Sequence, residues 1–137
     1  MLVKQISIFL ENKEGRLAEL TSILAKAEIN INALTIADTA DFGILRIIVD
    51  DADKTETLLK KEGFSVSITD VLALDIDNKP GGIAKPLNML HENGISVEYI
   101  YAFLAKKDNT AHVIFKVNDV DLAKKVLSKN GYRNTAK

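Results

Sequence analysis

The chain of 137 residues is 47% apolar and 27% charged, with a formal net charge of −1. With no basic excess it carries no field that would draw it to nucleic acid or an anionic membrane. With no cysteine it has no disulfide, thiolate zinc site, iron–sulfur cluster or cysteine nucleophile. Met1–Ser7 holds no basic stretch leading into an apolar run, and no apolar run approaches the about 20 residues of a membrane helix. A cytoplasmic protein is therefore expected.

From Val3 to Glu11 the apolar residues Ile6, Ile8 and Leu10 alternate, which predicts a strand with one buried face. Asn12 to Gly15 is a turn. From Arg16 onward Leu17, Leu20, Leu24 and Ala27 fall at helical spacing among good helix formers. Ile29 to Ala37 reads as a strand, residues 38–41 as a turn, and Gly43 to Val49 as an antiparallel return. Asp51 or Asp53 caps a second helix carrying Leu58 and Leu59, and Gly63 ends it in a left-handed conformation. Phe64 to Thr69 is the last strand. The order β-α-β-β-α-β is the ferredoxin-like plan, with both helices on one face of an antiparallel sheet.

The plan then repeats. Asn12-Lys13-Glu14-Gly15 recurs as Asn78-Lys79-Pro80-Gly81, 66 residues later, and Ala18, Leu24 and Ile29 match Ala84, Leu90 and Ile95. Beyond the middle the offset is 68, matching Asp51, Leu59 and Gly63 to Asp119, Leu127 and Gly131. The two extra residues belong in the turn around Lys106-Lys107-Asp108-Asn109. The second copy is expected to place strands at Val71–Ile76, Tyr99–Leu104, Thr110–Val117 and Tyr132–Thr135. Its helices are expected at Ile83–Asn93 and Asp119–Asn130. Pro86 does not suit a helix interior, so the first of these should begin late, near Gly82 or Ile83. The fold class is α+β: two tandem βαββαβ units, 1–70 and 71–137. Units this small are marginal alone. Phe9, Tyr99, Tyr101 and Phe103 cannot all enter one small core. Sheet faces or edges are expected to pair between copies or chains, and a homodimer is expected.

The run from Ile8 to Leu17, followed by a helix and then Glu28-Ile29-Asn30-Ile31-Asn32, resembles the opening of an ACT domain. That family shows Asp/Asn-x-Pro-Gly-x-Leu after the first strand and Gly-Ile-Asn-Ile or similar at the second. Asn78-Lys79-Pro80-Gly81-Gly82-Ile83 and Gly94-Ile95-Ser96-Val97-Glu98 lie closer to that pattern, while Glu14 stands where proline is usual. The resemblance covers nearly the whole chain, twice, with no enzyme domain attached. It implies an amino-acid effector held at an interface between ACT units. The ligand-binding positions it marks are Asn12, Gly15, Arg16 and Leu17 in the first copy. In the second they are Asn78, Pro80, Gly81, Gly82 and Ile83. Asn32 and Glu98, equivalent second-strand positions, are weaker candidates. The glycines let backbone amides approach a ligand, and the following helix offers unpaired N–H groups to a carboxylate. Asn12 and Asn78 either meet the ligand or cap the turn locally.

Chemistry beyond binding is not expected. His91 and His112 belong to no metal-ligand pair, and Asp50-Asp51-Asp53 lacks a calcium-loop spacing, so capping explains it better. No nucleophile elbow, Walker or dinucleotide fingerprint occurs. The aromatic-basic strand of RNA-recognition domains and the Cys-x-x-Cys of metal chaperones are also missing. The expectation is a non-catalytic regulatory module with no cofactor and no metal. It would bind an amino acid and act on a metabolic enzyme in trans. The alternative is a structural interaction subunit of such an enzyme, with no ligand of its own.

Overall fold

The computed structural model describes residues 1–11, 13–38, 42–105 and 109–132. Six strands and four helices occur among them. They are β1 (Leu2–Glu11), α1 (Arg16–Lys26), β2 (Ile31–Asp38), β3 (Phe42–Val49), α2 (Ala52–Lys61), β4 (Ser65–Asp77), α3 (Ala84–Glu92), β5 (Val97–Ala102), β6 (Thr110–Val117) and α4 (Val120–Lys129). The chain divides into two compact units. One is Lys4–Thr69; the other runs from Asp70 onward and includes Met1–Val3.

In the first unit the strands lie in the order β2-β3-β1-β4, with β1/β3 and β2/β3 antiparallel. The alternation in β1 sends Ile6, Ile8 and Leu10 to the face that also buries Leu20 and Leu24 of α1 and Leu59 of α2. Phe9, one residue out of phase, stays half exposed opposite Ile44. Each fully buried Leu or Ile contributes roughly 1.5–3 kcal/mol.

The second unit pairs β4 with β6 and β6 with β5, all antiparallel. Leu72, Leu74, Ile76, Leu90, Val113, Phe115 and Leu127 form its core. The fourth side of this core is closed by the start of the chain. The N–H of Ala73 donates to the Met1 carbonyl at 2.8 Å, and the Met1 side chain joins the core. That role was expected of Tyr132–Thr135, but Tyr132 lies in no strand, and residues 133–135 fall outside the described residues. The expected break between Phe64–Thr69 and Val71–Ile76 is likewise absent: Ser65–Asp77 is one strand. Nothing in Thr69-Asp70-Val71 breaks a strand, since neither glycine nor proline interrupts it. β5 begins two residues earlier than expected, at Val97, and Phe103 continues beside it by donating its N–H to His112 O at 2.9 Å.

Equivalent positions repeat their local chemistry. Asp51 caps α2 by accepting from the Lys54 N–H at 3.0 Å, and Asp119 caps α4 by accepting from the Leu122 N–H at 3.1 Å. Asp50 and Asn118 each accept the N–H of the residue that precedes β2 or β5 by one or so, Asn30 at 3.2 Å and Ser96 at 3.0 Å. The acidic cluster of the first unit is thereby explained by caps, with Asp53 in an exposed ion pair with Lys4. Leu20 and Pro86, 66 apart, are both buried. Pro86 is the third residue of α3, within the turn whose N–H groups have no helical partner, so its missing donor leaves nothing unmet.

One pair of equivalent positions differs in strain. The turn after α3 passes through Gly94 at φ 72°; the turn after α1 passes through Glu28 at φ 59°. A side-chain-bearing residue in this left-handed region costs roughly 1–2 kcal/mol relative to the right-handed one. Glu28→Gly is therefore expected to stabilise the protein by about 1 kcal/mol, less than that full cost because glycine loses more freedom on folding. Urea unfolding should show a higher midpoint with an unchanged slope. A lower midpoint would show that the Glu28 side chain contributes more than its backbone conformation costs.

Candidate functional site

Both turns after the first strand of a unit are built on a left-handed glycine, Gly15 at φ 81° and Gly81 at φ 84°. In each, a lysine N–H folds back onto the last strand residue: Lys13 onto the Glu11 carbonyl at 2.8 Å, Lys79 onto the Asp77 carbonyl at 3.0 Å. The glycine carbonyls then accept the first helical bonds, from the Glu19 N–H at 2.9 Å and the Lys85 N–H at 3.3 Å. The turns diverge after the glycine. α1 starts at once with Arg16, whereas α3 starts two positions later, at Ala84.

In the first unit the Arg16 guanidinium lies over the Phe64 ring, 4.5 Å from its centroid, and pairs with Glu19. That distance is well inside the range of a cation–π contact. Leu17 is exposed at the helix start. Glu11 titrates below the usual carboxylate range, first through a hydrogen bond from Lys13 and then through that lysine's charge. Asn32 sits on β2, where its Oδ1 accepts from Asn30 Nδ2 at 2.8 Å. Asn12 lies outside the described residues.

In the second unit a polar cavity of about 310 Å³ opens beside the turn. Gly81 and Gly82 form part of its wall, with Asp77, Lys79 and Lys85 around them. Asn130, Gly131 and Tyr132 close the far side, and Asp75 and Ile76 reach it from β4. The volume is at the lower end of the roughly 300–1,000 Å³ typical of small-molecule sites. Gly82 is buried, and a Cβ there would overlap the Asp77 carbonyl oxygen and meet the Lys79 carbonyl oxygen at 3.1 Å. The Tyr132 hydroxyl titrates above its ordinary value, raised first by burial and then by the Asp77 carboxylate, so at neutral pH it is a neutral O–H.

Of the residues expected at the second site, Gly81 and Gly82 share this cavity. Asn78, Pro80 and Ile83 lie on the exposed side of the same turn, Asn78 donating its N–H to the Asn109 carbonyl at 2.7 Å. Glu98 stands apart on β5, its carboxylate taking Lys116 Nζ at 3.2 Å. Lys85, Asn130 and Tyr132 were not expected. For two of them the signal is in the repeat: Tyr132 is the counterpart of Phe64, and Lys85 that of Glu19. His112 is held by Asp75, Nδ1 to Oδ1 at 2.6 Å, and its ring meets Phe103 edge-on at 5.8 Å. No group of three or more acidic or histidine side chains is placed to hold a metal among the described residues.

The repeated β-α-β-β-α order, with a left-handed glycine turn after each first strand, is that of a pair of ACT domains. The family model for the ACT domain pair matches residues 1–136, and the chain belongs to that family. It is similar to protein BT0572 from Bacteroides thetaiotaomicron, at 46% identity and a TM-score of 0.91 over 96% of this chain and 90% of that one. The ligand-free regulatory subunit of aspartate kinase from Thermus thermophilus shares the fold at 17% identity and a TM-score of 0.69, over 93% of this chain and 92% of that one. A putative C-terminal regulatory domain of aspartate kinase from Porphyromonas gingivalis W83 does so at 17% and 0.54, over 94% and 93%. None of the curated proteins matches the chain.

The two glycines of the second turn answer to different constraints. Nothing lies within 4 Å of a Cβ built on Gly81, so only its positive φ resists substitution. Gly81→Ala is expected to destabilise by roughly 1–2 kcal/mol. Gly82 has no left-handed φ, but Gly82→Ala must displace the strand end at Asp77 and is expected to lose more. Equal losses in chemical denaturation would show that the turn yields without strain.

Proposed function

We propose that this ACT pair is a non-catalytic regulatory subunit that binds a free amino acid and acts on a metabolic enzyme in trans. The observation that carries this reading is the cavity beside the second turn. It offers carboxylates, ammonium groups and an aromatic ring within one small volume, which is the mixture a zwitterion requires. The glycine turn bares backbone there, and the neutral Tyr132 hydroxyl adds a donor. A homodimer in the cytoplasm, in which an adjoining ACT unit completes the turn's exposed side at Asn78, Pro80 and Ile83, fits the same reading. Binding regulates only if the effector prefers one arrangement of the protein over another.

A thermal-shift screen against the twenty amino acids tests it. A ligand at 100 times its dissociation constant adds about 2.7 kcal/mol to the native state, a shift of several degrees for a chain of this size. A shift with one amino acid, or a few related ones, is the expected result. No shift with any, in a folded sample, would replace this reading with that of a ligand-free interaction subunit.

A further inference from the structure

We propose that only the second unit holds the effector, one per chain, in a seat that the first unit fills with its own Arg16. This inference rests on the amino-acid reading above and names the site and the ligand chemistry within it. In the first unit the guanidinium of Arg16 covers Phe64 and pairs with Glu19, and three-quarters of the Arg16 side chain is buried in doing so. All three residues are changed at the equivalent positions of the second unit. Gly82 replaces Arg16, Tyr132 replaces Phe64 and Lys85 replaces Glu19. The aromatic ring is kept and the cation that covers it is removed. The place cannot be refilled from the same position, because any Cβ on Gly82 collides with the Asp77 carbonyl. What remains is the cavity of about 310 Å³.

The walls then say what occupies it. A cation over Tyr132, near Asp77, reproduces what Arg16 does over Phe64 near Glu11 in the sister unit. The Lys85 ammonium, where the first unit has the partner carboxylate, forms no hydrogen bond or ion pair among the described residues and lines the cavity ready for an anion. The ligand must therefore bring both a cation and a carboxylate. An α-amino acid is such a molecule: its ammonium, or a cationic side chain, takes the ring and Asp77, and its carboxylate takes Lys85. The added Tyr132 hydroxyl, absent from Phe64, is a further donor.

Calorimetric titration of the intact chain with each of the twenty L-amino acids tests the assignment. One site per chain is expected. Lys85→Glu, which restores the first unit's residue at an exposed position, should weaken binding by about tenfold or more. Tyr132→Ala should do the same, whereas Tyr132→Phe should keep most of the affinity because it keeps the ring. N-acetylation of the bound amino acid, which removes the ammonium charge, should lower affinity about as far, unless a cationic side chain takes the ring. Arg16→Ala should leave the dissociation constant within about a factor of two or three. Circular dichroism of each variant separates a lost site from a lost fold. Two equal sites per chain would overturn the assignment. So would Lys85→Glu and Tyr132→Ala proteins that are folded and bind as tightly as the parent, or a folded Arg16→Ala protein that does not bind. Absence of binding by any amino acid would instead remove the functional reading on which it rests.

Discussion

The reversal of the chain between the first strand and first helix of each unit is the constraint on which the rest depends. The strand must end with its apolar face on the core, and the helix must begin over that same face after four residues in the first unit and six in the second. The backbone achieves this by one residue at a φ of 81° or 84°, where glycine alone is free of penalty. Once that residue is glycine, the lysine before it folds back onto the strand end and the helix receives its first bond from the glycine carbonyl. The aromatic residue at the start of the unit's last segment, Phe64 or Tyr132, then faces the turn. The fold and the seat over the aromatic ring are thus set by the same few atoms, which explains why that seat recurs where the chain folds back.

Duplication makes the consequences of single residues readable, because each unit serves as a control for the other. The capping aspartates, the leucines of the helices and the turn glycines are shared, and these are the parts that hold a unit together. The differences cluster elsewhere. On the sheet face away from the helices, the row Phe9–Ile44 of the first unit becomes Asp75–His112 in the second, where the pair is hydrogen bonded and edged by Phe103. At the turn, an arginine becomes a glycine. The sheet row gains a hydrogen-bonded polar pair, and the turn loses the side chain that covers the aromatic ring.

The elements themselves were legible in the sequence because they are local. Alternation in Ile6-Ser7-Ile8-Phe9-Leu10, helical spacing from Leu17 to Leu24 and the aspartate caps each act within a few residues. What escaped was non-local or subtractive. Nothing in Met1-Leu2-Val3 says that it completes a core built mostly from residues 70 onward, since that pairing joins the start of the chain to its middle. Thr69-Asp70 lies where one copy gives way to the next, yet the strand runs through it, since neither glycine nor proline interrupts it. Gly81 and Gly82 were named as site residues from their motif. The cavity they line was not legible, because it arises from a side chain that is missing, and only comparison with Arg16 reveals the vacancy.

That comparison also bears on how such a pair could signal. A ligand moves an equilibrium by no more than its differential affinity for the two states. A seat already held by a tethered arginine contributes the same contacts whether effector is present or not, so it adds stability without adding response. A seat of the same shape left open contributes only when effector arrives. Placing one of each in a single chain therefore separates two requirements that compete within one site. On the proposal of a single effector seat, the arginine of the first turn stands in for the ligand, and the glycine of the second turn is the residue that would make the protein responsive.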